Sequence, residues 1–271
     1  ILDKPVVGVY FWKRVEQVNI PVVWIDHHGI QEEMPKFVNY YDPVLNRSST
    51  NEPVTALCYQ ISQRKEDLWL AVVGCISDKF VPDFYYDFLK KYPDLAIDSN
   101  DAFKIFYESR IGEVARILGF GLKDRVSSVV EMQKFLLKAK DPYDVLDEGP
   151  KNYSMHKRFS DVDKKYQKLL KKAMNSVGKD LVFFQYGGDL SMSADLANEL
   201  SYKFPGKDVV IVRIVGNKAN VSARGKKIRE KVLKAIEGLK DSTGGGHEGA
   251  VGAKILVEDL EKFKERLKNS L

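Results

Sequence analysis

Residues Pro21–Ile25 are apolar without interruption, and the next three, Asp26-His27-His28, can all ionise. A short apolar run that ends at ionisable residues reads as a strand. Phe37–Tyr41 is a second such candidate. Leu68–Ile76 is a third, apolar until it meets Ser77 and Asp78. Between the last two, Ser48, Ser49 and Thr50 precede Asn51-Glu52-Pro53, hydroxyl caps followed by an acidic residue and a proline suited to a first helical turn. Strand, helix, strand in this order predicts an α/β fold built on a parallel sheet.

The pattern turns helical from Pro82 to Lys140, with Phe84, Phe88, Phe103, Ile105 and Phe106 supplying apolar faces. Asp141–Lys179 is dense in charge and broken by Gly149-Pro150; it reads as a linker ending in a basic helix, Lys164–Lys172. Strand and helix then alternate again. Leu181–Tyr186 is an expected strand, Ser193–Tyr202 a helix, Val209–Val215 and Asn220–Arg224 a strand pair, Ile228–Leu239 a helix and Asp259–Lys268 a closing helix. The expected organisation is two α/β domains: a parallel-sheet domain over 1–140, a helical linker over 141–179, and a smaller C-terminal domain over 180–271.

A chain of 271 residues can bury two such cores. Lys and Arg number 43 against 38 for Asp and Glu, a net charge of +5 that favours an anionic partner only weakly. Cys58 and Cys75 sit in apolar surroundings without CxxC spacing, as small buried hydrophobes in a reducing compartment do. With no apolar run long enough for a bilayer and no signal-like start, the expected location is cytoplasmic.

Beyond the carboxyl ends of strands in an open parallel sheet lies the place where ligands bind. Asp26-His27-His28 follows one expected strand, Asp78 another, and Asp3 follows Ile1-Leu2, which reads as the tail of a further strand. Carboxylates plus an imidazole, with no thiolate, suit Mn²⁺ or Mg²⁺ better than zinc. The stretch Pro21–His28 resembles the signature of the DHH phosphoesterases, and Gly74–Asp78 looks like a later motif of the same family. The resemblance implies that Asp3, His27 and Asp78 bind metal, that Asp26 orients its neighbours, and that His28 faces the substrate phosphate. The family's first motif, a His and two Asp residues, has no counterpart from Ile1 onward. Its presence upstream would complete a two-metal site, and without it one ion would keep several protein ligands.

Asp241–Lys254 holds Gly244-Gly245-Gly246-His247, followed by Gly249 and Gly252. Consecutive glycines let backbone approach a ligand and turn N–H groups toward an anion. A helix starting near His247 would add its positive end. This stretch resembles the GGGH motif of the substrate-binding domain that accompanies the DHH domain in RecJ-like exonucleases and nanoRNases, and Val221-Ser222-Ala223-Arg224 looks like that domain's S-x-R strand. The implied roles are Arg224 and Ser222 on a substrate phosphate and Gly244, Gly245, Gly246 and His247 around the terminal nucleotide.

The resemblance implies a metal-dependent exonuclease acting on single-stranded DNA or RNA or short oligonucleotides, with bases such as Lys164, Lys165, Lys168, Lys171 and Lys172 steering longer substrates. Two alternatives stay open: a phosphoesterase for nucleoside bisphosphates or cyclic dinucleotides, and a non-catalytic nucleic-acid-binding subunit. A homo-oligomer or a replication or repair partner is compatible with any of these.

Overall fold

In the computed structural model, residues 1–31, 33–46 and 50–270 are described, and they form two compact units: 1–117 with 136–149, and 118–135 with 150–270. Ser48 and Ser49, expected as helix caps, lie outside the described residues. No helix among the described residues is long and apolar enough to cross a membrane.

The first unit opens with Ile1–Asp3, then α1 (Val9–Val18), β1 (Val22–Ile25) and β2 (Val38–Tyr41). Strands β1 and β2 pair in parallel with Trp24 opposite Tyr40. Leu2 bridges Ile25 in parallel on the other side, so Ile1-Leu2 is a strand fragment as expected. The Trp24 ring is fully buried against Trp12 and Tyr40, and its Nε1–H donates to the Lys4 carbonyl at 3.1 Å. That bond satisfies the indole's one donor and fastens the chain just after Asp3.

Along the chain follow α2 (Val54–Ser62), with Pro53 at its cap, α3 (Leu68–Ser77), α4 (Tyr85–Lys91), α5 (Ala102–Glu108), α6 (Arg110–Gly121), α7 (Val126–Leu136) and α8 (Tyr143–Leu146). The last turn of α6 and nearly all of α7 belong to the second unit. Leu68–Ile76 is not the expected strand. It belongs to a helix buried around nearly its whole circumference, with Leu68, Trp69, Val72, Val73, Cys75 and Ile76 all in the core. Complete burial removes the polar stripe by which a helical period is recognised. A Cβ on Gly74 would lie 2.5 Å from Thr55 Cγ2, so this glycine lets α2 and α3 close on each other.

The second unit continues with α9 (Tyr153–Met174), β3 (Leu181–Gly187), α10 (Ser193–Lys203), β4 (Asp208–Val215), β5 (Lys218–Arg224), α11 (Ile228–Ile236), β6 (Thr243–His247), β7 (Ala250–Leu256) and α12 (Leu260–Lys268). The basic helix expected over Lys164–Lys172 is longer, beginning at Tyr153. The sheet order is β3-β4-β5-β7-β6, with β3 and β4 parallel and the rest antiparallel. Val162, Tyr166 and Leu170 of α9 pack with Leu196 and Leu200 of α10 and with Val182, Val209 and Ile211 on one sheet face. On the other face Val210, Val212, Val221 and Ile255 meet Val232 of α11 and Phe263 of α12. Truncating the fully buried Phe263 to Ala would cost about 3–5 kcal/mol. The glycine cluster forms the edge strand β6, and no helix begins at His247. On its inner side its backbone groups enter the ladder to β7, which runs from Thr243 opposite Lys254 to His247 opposite Ala250, while as an edge strand it turns the alternate groups away from the sheet.

Candidate metal centre and nucleotide-binding face

The ends of the parallel strands converge on one cluster. Asp3 caps the first strand fragment with a left-handed backbone (φ 53°), a conformation that aspartate tolerates. Its amide donates to the Ile25 carbonyl at 3.0 Å, which places it beside the residues following β1. Asp3 Oδ1 lies 3.4 Å from His27 Nε2 and 3.8 Å from His28 Nδ1. One ligand atom from each of Asp3, His27 and His28 falls within 4.8 Å of the others.

Asp26 is fully buried beneath this cluster. Its Oδ1 accepts from the His27 amide at 2.8 Å and lies 2.7 Å from His28 Nδ1. The proton on that ring therefore sits on Nδ1, leaving Nε2 as the acceptor. Asp26 Oδ2 and His27 Nδ1 are buried without a hydrogen-bond partner among the described residues. A carboxylate oxygen left so costs several kcal/mol unless a cation compensates it. This orphaned pair and the all-oxygen-and-imidazole donor set fit a hard divalent ion.

Asp78 stands at the C-terminal end of α3, not at a strand end, and outside the three-residue group. It is close enough for electrostatic coupling. Partial desolvation, then the Asp3 carboxylate, push its carboxyl pKa up, while His27, Lys79 and His28 pull it down. The helix terminus adds its own negative partial charge, which favours a cation there.

Asp42 is a buried carboxylate that sequence reasoning missed. It accepts from the Val44 amide at 2.9 Å, the Tyr40 hydroxyl at 3.0 Å and the Gly29 amide at 3.4 Å. It thereby ties the turn after His28 to the end of β2. Burial and this carboxylate hold the Tyr40 hydroxyl protonated, with its pKa raised. The Asp-Pro pair directly after an apolar strand was the available signal.

In the second unit, residues paired across the sheet share a face. Arg224 pairs with Ala250, and Ala250 with His247; Ser222 pairs with Gly252, and Gly252 with Gly245. Arg224, Ser222, Gly245 and His247 therefore occupy one face. Next to Arg224 and Ser222 that face is bordered by α10. Arg224 Nε donates to Asn198 Oδ1 at 2.7 Å, and Ser222 Oγ to Ser193 Oγ at 2.9 Å. A Cβ on Gly245 would meet nothing within 4 Å, so the floor there is bare backbone. Gly244 turns the opposite way, where its Cβ would lie 2.8 Å from Ile236 Cδ1 of α11. Gly246 carries a positive φ (141°) and sits against the Ala250 carbonyl. Of the three glycines, only Gly245 opens onto the face that holds Arg224 and His247. Asn198, on a helix with no motif of its own, left no mark in the sequence.

Comparison with known proteins bears on both units. Residues 178–271 match the DHHA1 domain family. RecJ from Thermus thermophilus, solved with Mn²⁺, superposes with a TM-score of 0.68 at 14% identity over 99% of this chain and 44% of its own. An exonuclease RecJ bound to manganese gives 0.63 at 15% identity, over 99% of this chain and 74% of its own. The DHH domain of a protein described as a member of the s1p family of ribosomal proteins gives 0.59 at 17% identity, over 97% and 66%. The chain has the RecJ-like DHH fold. The face bearing Arg224 and His247 lies within the residues that match the DHHA1 domain family. The chain spans less than half the length of the Thermus protein, and no curated protein matches it in sequence.

Proposed function

We propose that this chain hydrolyses phosphodiester bonds with divalent metal ions, acting as an exonuclease on single-stranded nucleic acid or short oligonucleotides. The observation that carries the reading is the Asp3–His27–His28 cluster above the buried, half-partnered Asp26. Asp3, His27 and Asp78 are the assigned ligands, and Mn²⁺ or Mg²⁺ bound there would lower the pKa of a water and offset charge on the transferred phosphoryl group. Asp26 keeps the His28 proton on Nδ1, so that Nε2 faces the reaction as an acceptor. Asp42 holds the turn that carries His28. In the DHHA1 domain, Arg224 and Ser222 take a substrate phosphate and His247 the terminal nucleotide, with Asn198 fixing the guanidinium. The DHH fold and the Mn²⁺ in the RecJ structures support this division of labour.

The test reads metal before turnover. Mn²⁺ titrated into the chain should lose its free-ion electron paramagnetic resonance signal with a defined stoichiometry, and Asp3→Ala and His27→Ala should each abolish that loss. A labelled single-stranded oligonucleotide should then release mononucleotides only in the presence of Mn²⁺ or Mg²⁺. Mn²⁺ binding that survives both substitutions would overturn the ligand assignment.

A further inference from the structure

We infer that a second nucleotide-binding site lies at the carboxyl end of β3, where three lysines of α9 face the Gly187-Gly188 turn, and that it holds a phosphate and base of a single strand distant from the bound terminus. The identity of its ligand rests on the phosphodiester reading above; the groove itself does not.

Lys165, Lys168 and Lys172 recur at intervals of three and four, so they share one face of α9. They line an open groove of about 370 Å³ that the turn after β3 closes on its other side. All three are exposed, and among the described residues none is in an ion pair. Asp189 is the one carboxylate in the lining, against three ammonium groups. Like charges at this spacing repel one another by some tenths of a kcal/mol per pair, which an anion would relieve. A merely solvated helix face needs no such concave wall.

The opposite wall is shaped in advance. Gly188 has a positive φ (141°), and a Cβ on Gly187 or Gly188 would meet nothing within 4 Å, so bare backbone borders the groove. Arg213 donates to the Gly188 carbonyl at 3.2 Å and to the Asp189 carbonyl at 3.3 Å, turning two acceptors away from a ligand. The Met192 amide donates to the Tyr186 hydroxyl at 2.8 Å, fixing where the turn rejoins α10. Between the walls the half-buried Leu169 and Leu190 form an apolar floor, with the buried Tyr186 and Met192 behind them. Phosphate-matched cations above an apolar floor are what a nucleotide needs, and the volume is of nucleotide size. The carboxyl end of a strand in a β3–α10–β4 parallel unit is also where such ligands bind in other open sheets.

This groove is distinct from the Arg224–His247 face. Strands β3 and β6 are the two edges of the sheet, about 20 Å apart at the usual interstrand spacing. At about 3.4 Å per stacked nucleotide, a stacked strand touching both sites is roughly six nucleotides long. The groove therefore serves length, and the other face serves the end.

The experiment uses the full chain in EDTA, so that hydrolysis plays no part, and measures affinity for a thymidine dodecamer and a thymidine dinucleotide over a salt series. Lys165→Gln, Lys168→Gln and Lys172→Gln are combined in one variant. Lys234→Gln, Lys262→Gln and Lys268→Gln, exposed on α11 and α12 against the opposite sheet face, form a charge-matched control. The groove variant should bind the dodecamer about tenfold or more weakly at low salt. Its log–log salt slope should fall by about 2, near 0.7 per phosphate lost, while dinucleotide affinity stays unchanged. The control should keep the parent slope. Equal losses in both variants would mean a diffuse field and overturn the site. Parent affinity for the dodecamer in the groove variant would overturn it alone. Inorganic phosphate displacing the dodecamer as well as a mononucleotide does, at matched ionic strength, would reduce the groove to a phosphate site and overturn the nucleotide assignment. A parent chain that holds neither oligomer would remove the phosphodiester reading along with it.

Discussion

His28 Nδ1 lies 2.7 Å from Asp26 Oδ1, and that carboxylate is sealed from solvent on every side. The pair fixes a tautomer in the way that outer carboxylates do for metal-site histidines. Asp26→Asn keeps the size but presents an amide that can donate to Nδ1, which drives the ring proton to Nε2. Metal-dependent hydrolysis should fall about 10- to 100-fold. The melting temperature should hold or rise, because an uncompensated buried charge is removed. Activity at the parent level with a lowered melting temperature would make Asp26 a packing residue only.

Gly244 and Gly245 are neighbours with opposite duties. A Cβ at Gly244 would press on Ile236 at 2.8 Å, whereas one at Gly245 would enter open space. Gly244→Val should destabilise the second unit by about 1–3 kcal/mol, the usual cost of overpacking, as read from the urea midpoint. Gly245→Val should leave that midpoint near the parent value and weaken oligonucleotide binding, since its side chain would stand on the face beside Arg224. The reverse pattern would place the ligand on the α11 side.

What could be read from the sequence divides along physical lines. Pro21–Ile25 with Asp26-His27-His28 was legible because a strand that stops at three ionisable residues leaves little choice of structure. Leu68–Ile76 was not, because a helix buried all round and a buried strand present the same apolar run. The Gly244–His247 strand escaped because glycines carry no β-preference of their own, and only the ladder to β7 holds them extended. Asp42 and Asn198 act through contacts formed by the fold, Gly29 with Asp42 and Arg224 with Asn198, which no local spacing encodes.

The two thiols should differ in chemistry as well as position. Cys75 is fully buried, and burial pushes its pKa to about 12 from an ordinary 9.0. Cys58 is only half-buried. Iodoacetamide at pH 8 should modify Cys58 in the folded chain and reach Cys75 only at the rate at which the first unit opens. The sign of the pH effect follows from the raised value. Stability from the neutral Cys75 thiol is whole below about pH 9 and is lost as the pH rises toward 12, because the unfolded chain releases that proton first. The urea midpoint of the parent should therefore fall more steeply between pH 9 and 11 than that of Cys75→Val. Rapid native alkylation of Cys75 would contradict its placement in α3.

Arg224 offers the most direct test of the proposed nucleotide-binding face. Its guanidinium is held by Asn198 at 2.7 Å and by the Ala223 carbonyl at 2.8 Å, so the planar fork is oriented before any ligand arrives. A preset fork matches two phosphate oxygens at once, which an ammonium cannot do. Arg224→Ala removes a charge-assisted contact worth about 1.5–3 kcal/mol, an affinity loss of about 10- to 100-fold. Arg224→Lys should recover little of it, although the charge is restored. Asn198→Ala should show a smaller loss in the same direction, and combining it with Arg224→Ala should add almost nothing, because both act on one contact. His247→Ala should weaken short substrates most, since these have few other phosphates to hold them. Binding of a trinucleotide and a dodecamer, measured beside a Mn²⁺ titration, separates the effects, and metal affinity should stay at the parent value in every variant. Full recovery by lysine would replace the fork with a simple point charge. Loss of Mn²⁺ binding in any of them would dissolve the division of labour between the two units.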